Sequence, residues 1–287
     1  MRSFLIATVL GCTVLGFAVM PDAMAFDRAD QKQLESGQSC DHCDLSGIRL
    51  ATQSFPKAQL SRANLREADL KGTDLSGADL SGADLRRANM EKTNLAGADI
   101  GGGKLAGADM EKAVLANANL ERADVRETDL SKADLRDANL KDADLRNALL
   151  KRVDLRGAML MRARISNAKL ERSDLTGVKA SRSEFNQSDL DRVQFVNADL
   201  RNADFSDARL ERTNFTGSDL TSAIFSSVNM RLANFSDCNL SMARGLRQDR
   251  LDTACGNSNT ILPAGLTIPD CPADIKSRLD SRVGPNS

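Results

Sequence analysis

The chain has 287 residues, of which 39 are basic and 40 acidic, giving a net charge of −1. It contains one histidine and neither tryptophan nor tyrosine, so few general bases and few aromatic stacking platforms are available. This composition argues against an enzyme, and we predict no catalytic residue, no cofactor and no metal.

Residues 1–25 have the composition of a secretory signal peptide. Arg2 precedes an apolar run over residues 4–20, and residues 23–25 form a small-x-small cleavage pattern. Cleavage after Ala25 would leave a periplasmic or secreted protein with no transmembrane span in the mature chain. Two alternatives stay open: lipidation at Cys12, and retention of the apolar run as a membrane anchor.

Residues 26–42 are predicted to form an N-terminal cap, with a short helix over 27–35. A CxxC motif follows, in which Cys40 and Cys43 enclose His42, the one histidine of the chain. Haem attachment requires a histidine where Asp44 stands, so that interpretation fails. A capping disulfide or a pair of packed thiols is the simplest interpretation, and thiol redox chemistry or metal binding is the alternative.

A five-residue frame then runs without insertion from Leu45 to Leu240. Of its 40 positions (45 to 240 in steps of five), only Ala180 is not a large apolar residue. A small residue stands two positions before most of these, and Asp or Asn usually stands directly before them. A step of five scatters side chains around a helix and reverses the face of a strand, so the chain must turn once per pentad. The frame therefore predicts a solenoid.

Runs such as residues 78–85, Ala-Asp-Leu-Ser-Gly-Ala-Asp-Leu, resemble the A-(D/N)-L-x-x pattern of the pentapeptide-repeat family. The resemblance covers residues 43–243. It implies an all-β solenoid, namely a right-handed quadrilateral β-helix with four pentads in each coil. Ten coils of this kind form a rod about 48 Å long at about 4.8 Å per coil.

Six phenylalanines independently favour an even number of pentads per coil. They alternate with leucine or methionine at the frame positions 185, 195, 205, 215, 225 and 235. With four pentads per coil they form two opposing columns, each repeating at every fourth pentad. Elsewhere, the glycines at 101–103 and the small residue Ala180 are expected to cause a bulge or a local thinning of the wall.

Between Leu149 and Glu184 nine basic residues face four acidic ones, and this basic belt also breaks the Asp/Asn rule. An apolar patch rimmed by positive charge is typical of a partner site. The candidate partner-surface residues are Leu149, Met159, Met161, Arg162, Lys179 and Arg182. A plain solvated wall is the alternative interpretation.

Residues 244–287 are predicted to form a C-terminal cap helix and tail, with the helix over 245–256. The segment from Thr260 to Cys271 also resembles a tail that often follows pentapeptide repeats. Cys255 and Cys271 bracket this tail and form the best disulfide candidate in an oxidising compartment. Cys238 occupies an inward position and is interpreted as a buried free thiol. The last residues, 273–287, are expected to be partly helical or loose.

The function predicted from these features is a non-catalytic exported scaffold that binds an envelope or secreted protein. No nucleic acid is expected as a partner, and a homodimer through a terminal cap is a further prediction. The family resemblance raises one alternative, a topoisomerase-directed DNA mimic. Export and the absence of a strongly acidic face argue against it.

Overall fold

The computed structural model describes residues 26–272. The predictions of a signal peptide over 1–25 and of a partly helical or loose end over 273–287 lie outside these residues. Helix α1, Arg28–Glu35, precedes the repeat, and helix α2, Gln248–Leu251, follows it. Neither helix in this part of the chain has the length or the apolar character that crossing a bilayer requires.

Between the helices the chain forms a parallel β-solenoid. Its β structure consists of single bridges that join positions four pentads apart, from Asp44 with Asn64 to Ile224 with Arg244. Each coil therefore contains four pentads, and each pentad supplies one wall. The length of ten coils and the capping role of the two helices stay predictions.

Each pentad contains a tight turn, which explains the residue types around each leucine. The backbone N–H of Ala78 donates to the carbonyl of Leu75 (3.0 Å), and Gly77 between them has a φ of 64°. Glycine is favoured there because other L-residues reach this left-handed region only at a cost. The carboxylate of Asp79 accepts from the N–H of Ser81 (3.0 Å), so an acid before leucine stabilises the next turn.

The core contains the central leucines and the small residues two positions before them. Several of these small residues are Thr or Ser, and hydroxyls among them donate to carbonyls of the preceding coil. Thr73 bonds to the carbonyl of Leu50 (2.8 Å), and Thr93 bonds to that of Leu70 (2.7 Å). Because these buried hydroxyls have partners, such residues are compatible with the core.

The phenylalanine columns predicted from the sequence are confirmed. Phe185, Phe205 and Phe225 stack with centroid distances of 5.2 and 5.4 Å. The opposing column of Phe195, Phe215 and Phe235 meets the first edge to face, as with Phe205 and Phe215 at 5.7 Å. Such stacked and perpendicular contacts are favourable beyond the area that they bury.

The expected irregularities at Gly101–Gly103 and Ala180 do not occur. Lys104 bridges both Asp84 and Asp124, and the N–H of Ala180 donates to the carbonyl of Asp199 (2.8 Å), so the register of four pentads per coil continues. Ala180 is fully buried, as is the larger Val178 two positions before it. The register survives because backbone hydrogen bonds between coils, which need no particular side chain, hold the wall together.

Helix α1 lies at the open edge of the first coil. Asp27 is its N-cap and accepts from the N–H of Ala29 (2.7 Å). In later coils the N–H before each central leucine donates to a carbonyl of the coil below. Asp44 has no such coil, and its N–H donates to the carboxylate of Asp30 (2.7 Å) instead. A side chain of the helix thus replaces the missing backbone acceptor.

The C-terminal helix is shorter than the sequence predicts. Only Gln248–Leu251 is helical, whereas Cys255 forms a parallel bridge with Asn234 and Ile261 forms one with Asn239. The predicted helix over 245–256 was wrong because the last coil exposes unpaired donors and acceptors. The chain becomes extended to meet them: the N–H of Cys255 donates to the carbonyl of Ala233 (2.9 Å).

Candidate interaction surface

The N-terminal CxxC lies inside the entry to the solenoid. Cys40 and Cys43 are paired in a disulfide and both are buried. The imidazole of His42 is exposed and lies 3.8 Å from the carboxylate of Asp41. Within residues 26–272, no three His, Cys, Asp or Glu side chains are grouped closely enough to hold a metal ion.

The C-terminal cysteines connect the tail to the last coil. Cys255 and Cys271 are paired across 16 positions, and the N–H of Cys271 donates to the carbonyl of Gly256 (2.9 Å). Cys238 is the free cysteine among the described residues, and it is buried. Its thiol donates to the carbonyl of Phe215 (2.8 Å), in the same way as the inward Thr and Ser hydroxyls.

Cys238 should resist alkylation while the protein is folded. Burial raises the pKa of its thiol to about 12, so almost no thiolate forms at neutral pH. We expect iodoacetamide at pH 8 to leave the native protein unlabelled and to add one label per chain in denaturant. Mass spectrometry of both samples provides the measurement. Rapid labelling of the native protein would contradict the buried position.

The structure divides the basic belt between opposite sides of the rod. Leu149 forms bridges with Asp129 and Lys169, whereas Met159 forms a bridge with Lys179 in the next coil. Positions two pentads apart in a coil of four pentads are half a turn apart, so Leu149 and Met159 face in opposite directions. The six candidate partner-surface residues are therefore not one continuous surface. Leu149 must be removed from the set.

The other five candidates lie around one wall and its following corner. Met159, Met161 and Lys179 come together there with Arg162 and Arg182. Both methionines are half-buried, and the three cations are exposed. We refer to these five residues as the methionine patch.

Arg162 contributes less positive charge to the methionine patch than the sequence suggests. Its Nε and Nη2 atoms donate to the two carboxylate oxygens of Asp142 (2.6 and 2.7 Å). This hydrogen bonding holds the pKa of Asp142 below its usual value, so the two charges offset each other at neutral pH. Lys179 and Arg182 form no ion pair within residues 26–272 and supply the unbalanced charge.

Many outward carboxylates are neutralised within their own repeat. Arg136 donates through Nε to Asp134 (2.8 Å), and its hydrogen bonding lowers the pKa of that carboxylate. Five other Asp-Leu-Arg segments repeat the pair, with the aspartates Asp84, Asp124, Asp144, Asp154 and Asp199. A DNA-like surface requires an unbroken row of negative charge, and these pairs interrupt it.

One charged feature was missed when the sequence was analysed as a continuous string. Seven successive coils place a cation at the same corner, and we call these residues the basic column: Lys92, Lys112, Lys132, Arg152, Arg172, Arg192 and Arg212. The signal was present as Lys or Arg at every twentieth position. Nothing in a window of neighbouring residues indicates it.

The sequence comparisons agree with this architecture. The pentapeptide-repeat profile matches in eight copies over residues 43–82, 73–111, 104–137 and 138–177. A second profile, the pentapeptide repeat region, matches residues 158–235. Together they cover more than half of the chain. The chain belongs to the pentapeptide-repeat family. No individually curated protein matches it in sequence.

Solved structures of other pentapeptide-repeat proteins share the right-handed β-helical fold. HetL from the cyanobacterium Nostoc, involved in heterocyst differentiation regulation, is 25% identical with a TM-score of 0.61, covering 80% of this chain and 97% of HetL. A thylakoid lumen protein of Arabidopsis thaliana is 29% identical with a TM-score of 0.30, covering 37% and 73%. QnrB1, a plasmid-mediated fluoroquinolone resistance protein, is 18% identical with a TM-score of 0.37, covering 84% and 97%.

Proposed function

We propose that this pentapeptide-repeat protein is a non-catalytic, exported scaffold whose ten-coil rod binds an envelope or secreted protein. The methionine patch carries the proposal. Its two thioethers stand where most pentads have Asp, Asn or a small polar residue. Methionine adapts to varied partner surfaces, and the unpaired charges of Lys179 and Arg182 favour a partner with acidic groups beside an apolar contact.

The two ends of the rod support a scaffold rather than an open aggregating edge. Helix α1 supplies Asp30 to the first coil, and the extended segment around Cys255 pairs with the last one. We propose that both segments act as caps. The C-terminal end still exposes Met242 and Ile261, and a homodimer through this end stays part of the proposal.

Crosslinking in cells tests the partner site. Tagged protein carrying Arg162→Glu, Lys179→Glu and Arg182→Glu should lose a crosslinked envelope partner that the unaltered protein captures, because the patch reverses its charge. The matched control carries the same change at three exposed cations in coils far from the patch: Lys57→Glu, Arg62→Glu and Arg87→Glu. Equal capture by the patch variant and the unaltered protein would contradict the assignment.

Export is tested on the same purified material. The mature protein from the envelope fraction should begin at Phe26, as cleavage after Ala25 requires. Recovery of the uncleaved protein from the cytoplasm, together with topoisomerase subunits, would overturn the proposal in favour of the DNA-mimic alternative.

A further inference from the structure

The basic column occupies a backbone position where lysine and arginine are unfavourable. All seven residues have φ between 56° and 63°. This left-handed conformation favours glycine or asparagine, and a neighbouring corner uses glycine at Gly77, Gly97, Gly157, Gly177 and Gly217. Seven successive cations without one glycine therefore carry a conformational cost that fold stability alone would avoid. Their side chains have a separate role.

The acidic residues beside the basic column lie deeper than its cations. The side chain of Lys92 is 56% exposed, whereas that of its partner Glu91 is 19% exposed. The same order holds for Arg212 at 39% and Glu211 at 17%. A molecule that approaches this corner meets ammonium and guanidinium groups first.

Negative charge is sparse in the middle of the basic column. The position before each cation is acidic in five coils, but it is Ser131 and Lys151 in the two central ones. Glu171 is engaged by Lys151 (3.1 Å), whereas Arg152 and Arg172 are exposed and form no ion pair within residues 26–272. The centre of the column therefore keeps a net positive charge.

The basic column is straight and evenly spaced. Its seven cations span six coil repeats, or roughly 29 Å at about 4.8 Å per coil. A polymer that carries one anion on each monomer can place successive anions against successive coils in the same way. Guanidinium groups bind carboxylates in a planar, two-bonded geometry, which suits such a polymer.

We propose that the basic column binds a linear acidic polysaccharide with one carboxylate on each sugar, such as a polyuronate. Nucleic acids fit this corner less well. Single strands are bound by aromatic stacking, and the chain has no Trp or Tyr, while the phenylalanines of the frame from 185 to 235 are buried. Duplex phosphates advance about 3.4 Å per strand and wind away from a straight row.

Binding of polygalacturonate to the mature protein at low ionic strength tests the proposal. Arg152→Glu with Arg172→Glu should weaken binding by roughly tenfold or more, because each reversal removes an attraction and adds a repulsion. Lys57→Glu with Arg62→Glu is the matched control. These two exposed cations also have positive φ and no ion pair among the described residues, but they lie on other corners.

The result expected is saturable binding that weakens as salt is added and that the control variant retains. Unchanged binding by the Arg152 and Arg172 variant, or equal loss in the control, would overturn the assignment to this corner. Tighter binding of duplex DNA than of polygalacturonate at equal charge concentration would overturn the choice of polymer. Circular dichroism of each variant confirms that it is folded. The methionine patch is unaltered throughout, so this test is independent of the proposed scaffold function.

Discussion

Phe205→Ala is expected to lower the free energy of unfolding by about 3–5 kcal/mol, the usual cost of removing a buried aromatic ring. The ring of Phe205 is fully buried and stacks on Phe185 and Phe225 at 5.2 and 5.4 Å. It also meets Phe195 and Phe215 edge to face at 6.1 and 5.7 Å. Alanine leaves a cavity that the rigid walls cannot close, because every coil here is fixed by bonds to both neighbours.

Urea unfolding followed by circular dichroism measures this loss, and hydrogen exchange shows where it occurs. Phe55→Ala is the matched control, since Phe55 is only partly buried near the open N-terminal end. In a solenoid each coil contacts only its neighbours, so the Phe205 variant should lose protection mainly over the C-terminal coils. A destabilisation no larger than that of the control would contradict the packing described here.

Replacing both Cys255 and Cys271 with alanine is expected to cost about 3 kcal/mol, because the bond closes a loop of intermediate length. The disulfide joins positions 16 apart and fixes the tail against the last coil. Gly256 also bridges Asp270 there, so loss of the bond should release the whole tail. The same effect should follow reduction of the unaltered protein.

Thermal unfolding of the variant and hydrogen exchange of residues 255–271 provide the measurements. Replacing Cys40 and Cys43 with alanine is the comparison, and it should cost roughly 2 kcal/mol because that loop is much shorter. Retained protection of the tail after loss of the Cys255–Cys271 bond would show that backbone bridges alone hold it. That outcome would contradict the capping role proposed for this segment.

The core was predictable in detail because its signal is local and repeated. Each pentad carries its own turn, as with Gly77 and Asp79, so the period of five determines which side chains point inward. The phenylalanine columns followed from the same frame once each coil was set at four pentads. The expected bulges at Gly101–Gly103 and Ala180 were wrong because side chains alone were considered there, and the backbone bonds were not.

The surface was much harder to predict, because neighbours on adjacent coils are separated by four pentads of chain. Leu149 and Met159 look adjacent in the sequence, yet they face opposite sides of the rod. Arg162 looks like a free cation until Asp142 of the preceding coil is found beside it. The basic column has no signal at all in a local window.

The sequence by itself determined the solenoid, its inward residues and its cysteine partners, since a repeat of five leaves one way to bury every leucine. Only the tertiary structure decided which outward charges combine and how the ends are closed. The charges depend on contacts between coils, such as that of Arg162 with Asp142. The end beyond Leu240 depends on unpaired backbone groups of the last coil, which draw Cys255 and Ile261 into extended bridges where a helix was predicted to begin the tail.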